Sequence, residues 1–449
     1  MTGQEQGSWE EGIKLPVSNN QAWPAEFSTP CFDGIEDNDV QPKTAQINKK
    51  RSFDLPRLNE DLCAPMNRAV SRLVLHAFDE SRVRAAAEEL RAELGGAPTL
   101  ALAFLSAGYT SHLPEFQEIV AVHGHVPFLA GCTGSGLIGT SCEGETSEGF
   151  SLLFLHLPEA KVRAVPLCQA QVETSQGDPF WHQAAGGPAQ AWLFLGNPFR
   201  FDADTWLQEW NHAFPGVPVL GGLAGGPRGD EDVAVFGPAI GDTSDALAIA
   251  LDGVRMETVV SQGCRPIGEA LPVTRAEEHL LYELGSRPAY QVLEQAFNTL
   301  AEADKQRARG NLFAGLVVDE YKEKFARGDF LVRNILGADP ATGAVVVGAH
   351  PRTGQTLQYQ LRDAVSADEE LKALLAPLAR RAEKPVASLL FCCNGRGKNL
   401  FGSPDHDARV VAEALGPLPS AGFFCNGEIG PVAGRNFLHA YTASIGLIY

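Results

Sequence analysis

Two short stretches of this 449-residue chain bring together residue types that can do chemistry: "CNGRG" at 393–397 and "CNGEIGP" at 425–431. Each follows an apolar run, so each reads as a strand end opening into a glycine-rich loop. Strand ends of one unit meet at one edge of a sheet, and glycine there lets a backbone approach a ligand closely. Arg396 and Glu428 then come within reach of one another across a cleft. Cys393, Asn394, Gly395, Gly397, Asn426 and Gly427 would line it.

Other chemistries need companions that the spacing does not provide. "GSGLIG" at 134–139 matches a dinucleotide fingerprint, but residues 140–149, "TSCEGETSEG", are too short and glycine-broken for the helix that would receive a pyrophosphate. There is no C-x-x-C or H-E-x-x-H pattern, and "HGH" at 123–125 has no acidic or thiol companion nearby in sequence, so no metal and no cofactor is expected. Cys392 and Cys393 are neighbours on a strand and point to opposite faces. A thiol at Cys132, Cys142, Cys392, Cys393 or Cys425 would need His350, His406 or His439 as its base. A cysteine-dependent enzyme is therefore the alternative to a binding function, and a protein-interaction scaffold or substrate adaptor is the third reading.

Composition narrows the classes further. Apolar residues make up 44% and charged residues 20%, ordinary for a globular protein. With 36 basic against 55 acidic residues the net charge is -19, which argues against nucleic acid as a partner. No apolar run is long enough to span a bilayer, so no membrane insertion is expected, and the N-terminus lacks the pattern of a secretory signal. Nine cysteines at irregular spacing fit reduced thiols and a cytoplasmic address. Residues 1–66, polar and without period, read as a disordered tail; the other reading is an arm docking Trp23, Phe27 and Phe32.

The elements that position the two loops repeat along the chain. Segments 98–136, 189–227 and 386–430 each run from an apolar strand through a loop and an amphipathic helix to a second strand marked by glycine. A weaker relative is 289–318. The markers are Gly131, Gly222, Gly315 and Gly422, and duplication explains their recurrence. Hairpin sequence follows each marker, as at the turn Asp339–Gly343. The expected fold is α+β, with mixed or antiparallel sheets faced by helices, built from strand-helix-strand-hairpin units in two pseudo-symmetric halves, 67–275 and 276–449. Local signals place one helix from Glu80 to Leu94, ended by Gly95. A second is capped by Ser366 with Glu369, and a third is capped by Ser403 with Pro404 at its first position and Gly416 at its end.

At these motifs the chain resembles the paired FIST domains, named for F-box and intracellular signal transduction proteins. "FLAGCTGSGLIG", "VPVLGGLAGG" and "VSQGCRPIGEALPVT" resemble the N-terminal domain. "GDFLVRNILGADPATGAVVVG", "QLRDA", "FCCNGRGKNLFG" and "GFFCNGEIGP" resemble the C-terminal one. The resemblance implies a non-catalytic, small-molecule-sensing module of intracellular signalling whose ligand is an amino acid or similar metabolite, with a separate signalling protein as partner. For such a ligand, Arg396 is the carboxylate donor and Glu428 the ammonium acceptor. The alternative is that both residues only pin loops.

Overall fold

The computed structural model describes residues 66–449 apart from Asp242 and Arg309; the expected tail lies outside the described residues except for Met66. The described chain opens with β1 (Arg68–Val74), α1 (Glu80–Leu94), β2 (Leu100–Leu105), α2 (Leu113–Gly124) and β3 (Leu129–Thr133). A hairpin of β4 (Leu137–Gly139) and β5 (Cys142–Gly144) follows, then β6 (Phe150–His156). Asp79 caps α1 by accepting from the Arg82 N–H, and Gly95 ends it at φ 65°. The next unit has β7 (Lys161–Leu167), α3 (Gln169–Thr174), α4 (Asp178–Ala185), β8 (Ala191–Gly196), α5 (Ala203–Ala213), β9 (Val219–Leu223), β10 (Val235–Phe236) and β11 (Ala246–Asp252).

The third unit begins with β12 (Met256–Ser261) and is interrupted by a lobe. The lobe comprises β13 (Cys264–Pro266), β14 (Leu271–Glu277), β15 (Leu280–Leu284), β16 (Arg287–Pro288), α6 (Ala289–Asn298), α7 (Glu302–Ala308), β17 (Leu312–Val317), β18 (Phe330–Asp339), β19 (Ala344–Val347) and β20 (Thr356–Arg362). The unit then resumes with α8 (Ala364–Ala379), β21 (Ala387–Cys393), α9 (Gly397–Phe401), α10 (His406–Leu415), β22 (Ser420–Cys425), β23 (Glu428–Val432), β24 (Arg435–His439) and β25 (Ala443–Ile448).

Three mixed sheets share one order: β1-β6-β2-β3-β10, β7-β11-β8-β9-β23-β24 and β12-β25-β21-β22-β4-β5. In each, the central pair is parallel (β2 with β3, β8 with β9, β21 with β22) and its flanking strands are antiparallel. The strand that follows each second parallel strand leaves for another sheet. β4 joins β22, β23 joins β9 and β10 joins β3, so the exchange closes on itself.

Alternation explains how these sheets pack. Leu100, Leu102 and Phe104 face a shared centre with Leu193, Leu195, Leu389 and Phe391. The intervening Ala101, Ala103 and Leu105 face the helices α1 and α2; Trp192 and Phe194 face α5; Leu390 and Cys392 face α8 and α10. The lobe has its own core around α6. Its pairings run in a closed antiparallel circuit through β20, β14, β15, β19, β18 and β17. The fold is α+β, and its repetition is finer than two halves.

Several expectations are corrected by these contacts. A Cβ on Gly131, Gly221 or Gly422 would stand 1.8, 1.9 or 1.8 Å from the carbonyl oxygen of Ala103, Phe194 or Leu390, so the equivalent of the other two markers is Gly221 and not Gly222. Gly315 lies on β17 between two antiparallel partners, so the stretch 289–318 has a different form. Helix α8 is capped by Asp363, which accepts from the Ser366 N–H; Ser366 lies inside the helix. Helix α10 starts at His406, leaving Ser403 and Pro404 in the loop before it, and Gly416 ends it as expected. The boundary expected between 275 and 276 falls inside β14.

Candidate functional site

The ends of β21 and β22 meet as the two asparagine-glycine loops require. Asn394 N–H donates to the Cys425 carbonyl (3.1 Å), and Asn394 Nδ2 donates to Asn426 Oδ1 (2.6 Å). Asn426, exposed, also donates through Nδ2 to the Ala224 carbonyl at 3.2 Å. The Gly427 carbonyl accepts from the Leu223 N–H at 2.8 Å, which holds the turn into β23. Gly397, at φ 57°, opens α9; a Cβ there would meet the Glu145 carboxylate at 2.7 Å. Cys392 faces the helices, and Cys393 lies on the opposite side beside Glu428.

Arg396 is fully buried and its fork is occupied. Nε and Nη2 donate to the two oxygens of Asp407 at 2.6 and 2.8 Å, and His406 Nδ1 lies 3.0 Å from Asp407 Oδ1. Burial alone would push the Asp407 carboxyl up, but the Arg396 charge and its hydrogen bonds hold it well below the usual range. Arg396 Nη1 has no partner. A Cβ on Gly263 would come within 2.9 Å of that atom, so it points at the Gln262–Gly263 turn.

Glu428, fully buried at the start of β23, accepts from the Thr442 N–H through Oε2 (3.1 Å), and its Oε1 has no partner. Burial raises its carboxyl well above the usual range, against the pull of the Thr442 N–H and the Arg396 charge. Burial, with Glu428 nearby, pushes the Cys393 thiol up to about 12. The Cys132, Cys392 and Cys425 thiols are also raised by burial, so these groups stay protonated at neutral pH.

The structure adds residues that the two loops do not contain. Cys264 and Arg362 face each other in the register of β13 and β20, where the lobe leaves the ring of sheets and returns to it. Arg362 Nη2 donates to the Gly395 carbonyl at 3.0 Å, and its guanidinium stacks 4.5 Å from the Tyr441 ring centre. Its Nε and Nη1 have no partner, nor have Gln262 Nε2 and Asn394 Oδ1. Glu370 holds the turn beneath them, accepting from Ser261 Oγ (3.0 Å) and the Gly263 N–H (2.7 Å). The result is a group of unpaired buried donors from Arg362, Arg396 and Gln262 close to unpaired acceptors on Glu428 and Asn394. Buried polar atoms are rarely left without partners, so a cluster of them is a place for buried water or a polar ligand.

Known proteins with similar sequences support the same organisation. Residues 99–287 match the FIST N domain and residues 289–431 the FIST C domain. An uncharacterized protein of Mycobacterium tuberculosis is 37% identical over 370 residues, 81% of this chain and 96% of that protein. One of Mycobacterium bovis is 36% identical over 365 residues, 81% of this chain and 94% of its own. An F-box/LRR-repeat protein of Arabidopsis thaliana is 32% identical over 116 residues, 22% of each chain. With both domain models matched in tandem and relatives aligned over nearly their whole length, the chain belongs to the FIST family.

Proposed function

We propose that this protein is a cytoplasmic sensor that binds an amino acid or a closely related metabolite at the ends of β21 and β22 and reports its presence to a separate signalling protein. The observation that carries the reading is the set of unpaired buried groups of both polarities. Donors on Arg362, Arg396 and Gln262 suit a carboxylate, and acceptors on Glu428 and Asn394 suit an ammonium. An ammonium beside Glu428 favours its ionised form, offsetting the burial that raises its carboxyl in the free protein. Cys393, Gly395, Gly397, Asn426 and Gly427 shape the loops around that set. The reading contains no catalytic step, because burial keeps the Cys393 thiol protonated and supplies no thiolate for attack.

A thermal-shift screen of the full chain against the twenty protein amino acids tests this directly. An amino acid at ~100 times its dissociation constant stabilises the folded state by ~2.7 kcal/mol. A flat Tm across the whole panel, at concentrations up to the millimolar range, would remove the amino-acid reading.

A further inference from the structure

We propose that Arg362 is the anion anchor of this site and takes a planar carboxylate of the bound molecule. The proposal deepens the sensor reading above and rests on it for the location of the site. Arg396, the arginine that the loop motif suggests, has its fork closed on Asp407 and retains one free nitrogen, Nη1. Arg362 is only 9% exposed, and its described partners are a carbonyl oxygen, an aromatic ring and neighbouring thiols, none of them an anion. A buried guanidinium without a counter-charge is costly to the fold, and a group retained at such a cost marks a place where a counter-charge arrives from outside.

The position of Arg362 supports the assignment. It closes the neck between the lobe and the ring of sheets, opposite Cys264, and reaches across to Gly395 in the loop after β21. Cys393 is a hydrogen-bonding neighbour of the Glu428 carboxyl and lies within electrostatic range of Arg362, so anion anchor and carboxyl acceptor share one neighbour.

The test uses the full chain and an Arg362→Met variant, with melting curves recorded alone and with each of the twenty amino acids, acetate, propionate, methylamine and inorganic phosphate. Without any probe, Arg362→Met should melt close to the wild-type temperature, because the lost hydrogen bond to the Gly395 carbonyl is offset by removal of a buried charge that has no counter-charge. Arg396→Met should melt several degrees lower, since it leaves the buried Asp407 with only His406 beside it. A carboxylate-bearing probe that raises the wild-type Tm by about 3 °C or more should lose that shift in Arg362→Met. A drop of several degrees in probe-free Arg362→Met would make Arg362 a structural pin and overturn the proposal. An amino-acid shift kept in full by the variant would also overturn it while leaving the sensor reading in place. Stabilisation by acetate or propionate through Arg362, with none by any amino acid, would keep the anchor and remove the amino-acid reading. A response to phosphate or methylamine alone, or to no probe, would overturn the anchor.

Discussion

Glu143 shows how one side chain of the first unit controls a helix of the third. From β5 its Oε1 accepts the Ala408 N–H in the first turn of α10 (3.0 Å), and its own N–H donates to Asp405 Oδ1 (2.6 Å). Burial first, and the facing Asp407, Glu145 and Asp405 carboxylates next, push its carboxyl from 4.5 up to about 7, opposed by the Ala408 N–H. A raised carboxyl binds its proton more tightly in the folded state, so its contribution is fully present below pH 4.5 and is lost as pH rises through 7. Glutamine keeps the acceptor for Ala408 and cannot titrate. The stability of Glu143→Gln relative to wild type should therefore climb by about 3 kcal/mol between pH 4.5 and 8. Groups common to both proteins, such as His439, which burial lowers to about 4, cancel in that difference. Parallel Tm-pH curves for the two proteins would show that Glu143 is not held neutral. At this scale the sequence was half legible. Motif glycines and the Cys–Asn steps located the loops, whereas Asp407 and Arg362 depend on tertiary pairing. Arg362 sat visibly in "QLRDA" at the end of an alternating strand, but nothing local says that its guanidinium is buried and unpaired.

The elements were easier to read than their register. Strand-helix-strand order at 98–136, 189–227 and 386–430 follows from apolar runs and amphipathic periodicity, and α1 ends where its glycine says it must. Choosing between Gly221 and Gly222 was beyond sequence spacing, since either glycine of the pair satisfies it. What decides is the approach of the neighbouring parallel strand, whose Phe194 carbonyl leaves no room for a Cβ at Gly221. Cap positions slipped for a related reason. Asp363 and Ser366 are both good caps, and only the observed Ser366 N–H bond to Asp363 identifies the first. These contacts rank substitutions. Gly422→Ala and Gly221→Ala press a methyl into strand backbone and should prevent folding or cost more than ~4 kcal/mol. At Gly315 the closest atoms are the end of the Gln360 side chain at 2.6 Å and the Gln358 carbonyl oxygen at 2.9 Å, a looser approach than the 1.8–1.9 Å of the other two, so Gly315→Ala should cost less. Urea midpoints for the three variants measure the order, and an equal loss at Gly315 would mean that β17 is packed as tightly as the parallel pairs.

At the scale of the whole molecule, the closed exchange of strands decides which pieces can fold alone. A fragment of residues 66–275 would contain β9 without β23 and would extend the β4–β5 hairpin with no β22 to receive it. The complementary fragment, 276–449, would lack β4 beside β22 and β12 beside β25. Each would expose unpaired strand edges and part of the shared apolar centre, where Leu102, Leu193 and Leu389 come from all three sheets. The cut also severs β14 and so opens the strand circuit of the lobe, the segment with a core of its own. Although two family domains are recognisable along the sequence, the folding unit is therefore the described chain as a whole. Each fragment expressed alone should aggregate or lack a cooperative melt, the two expressed together should associate, and intact protein should unfold in one transition in which tryptophan fluorescence and far-UV circular dichroism coincide. All four tryptophans of the described core, Trp181, Trp192, Trp206 and Trp210, belong to the second sheet and its helices, so their fluorescence reports on one unit while circular dichroism reports on all. A soluble 66–275 fragment with its own cooperative transition, or a fluorescence midpoint well separated from the dichroism midpoint, would mean that the exchanged strands dock late and that the sheets are stable without them.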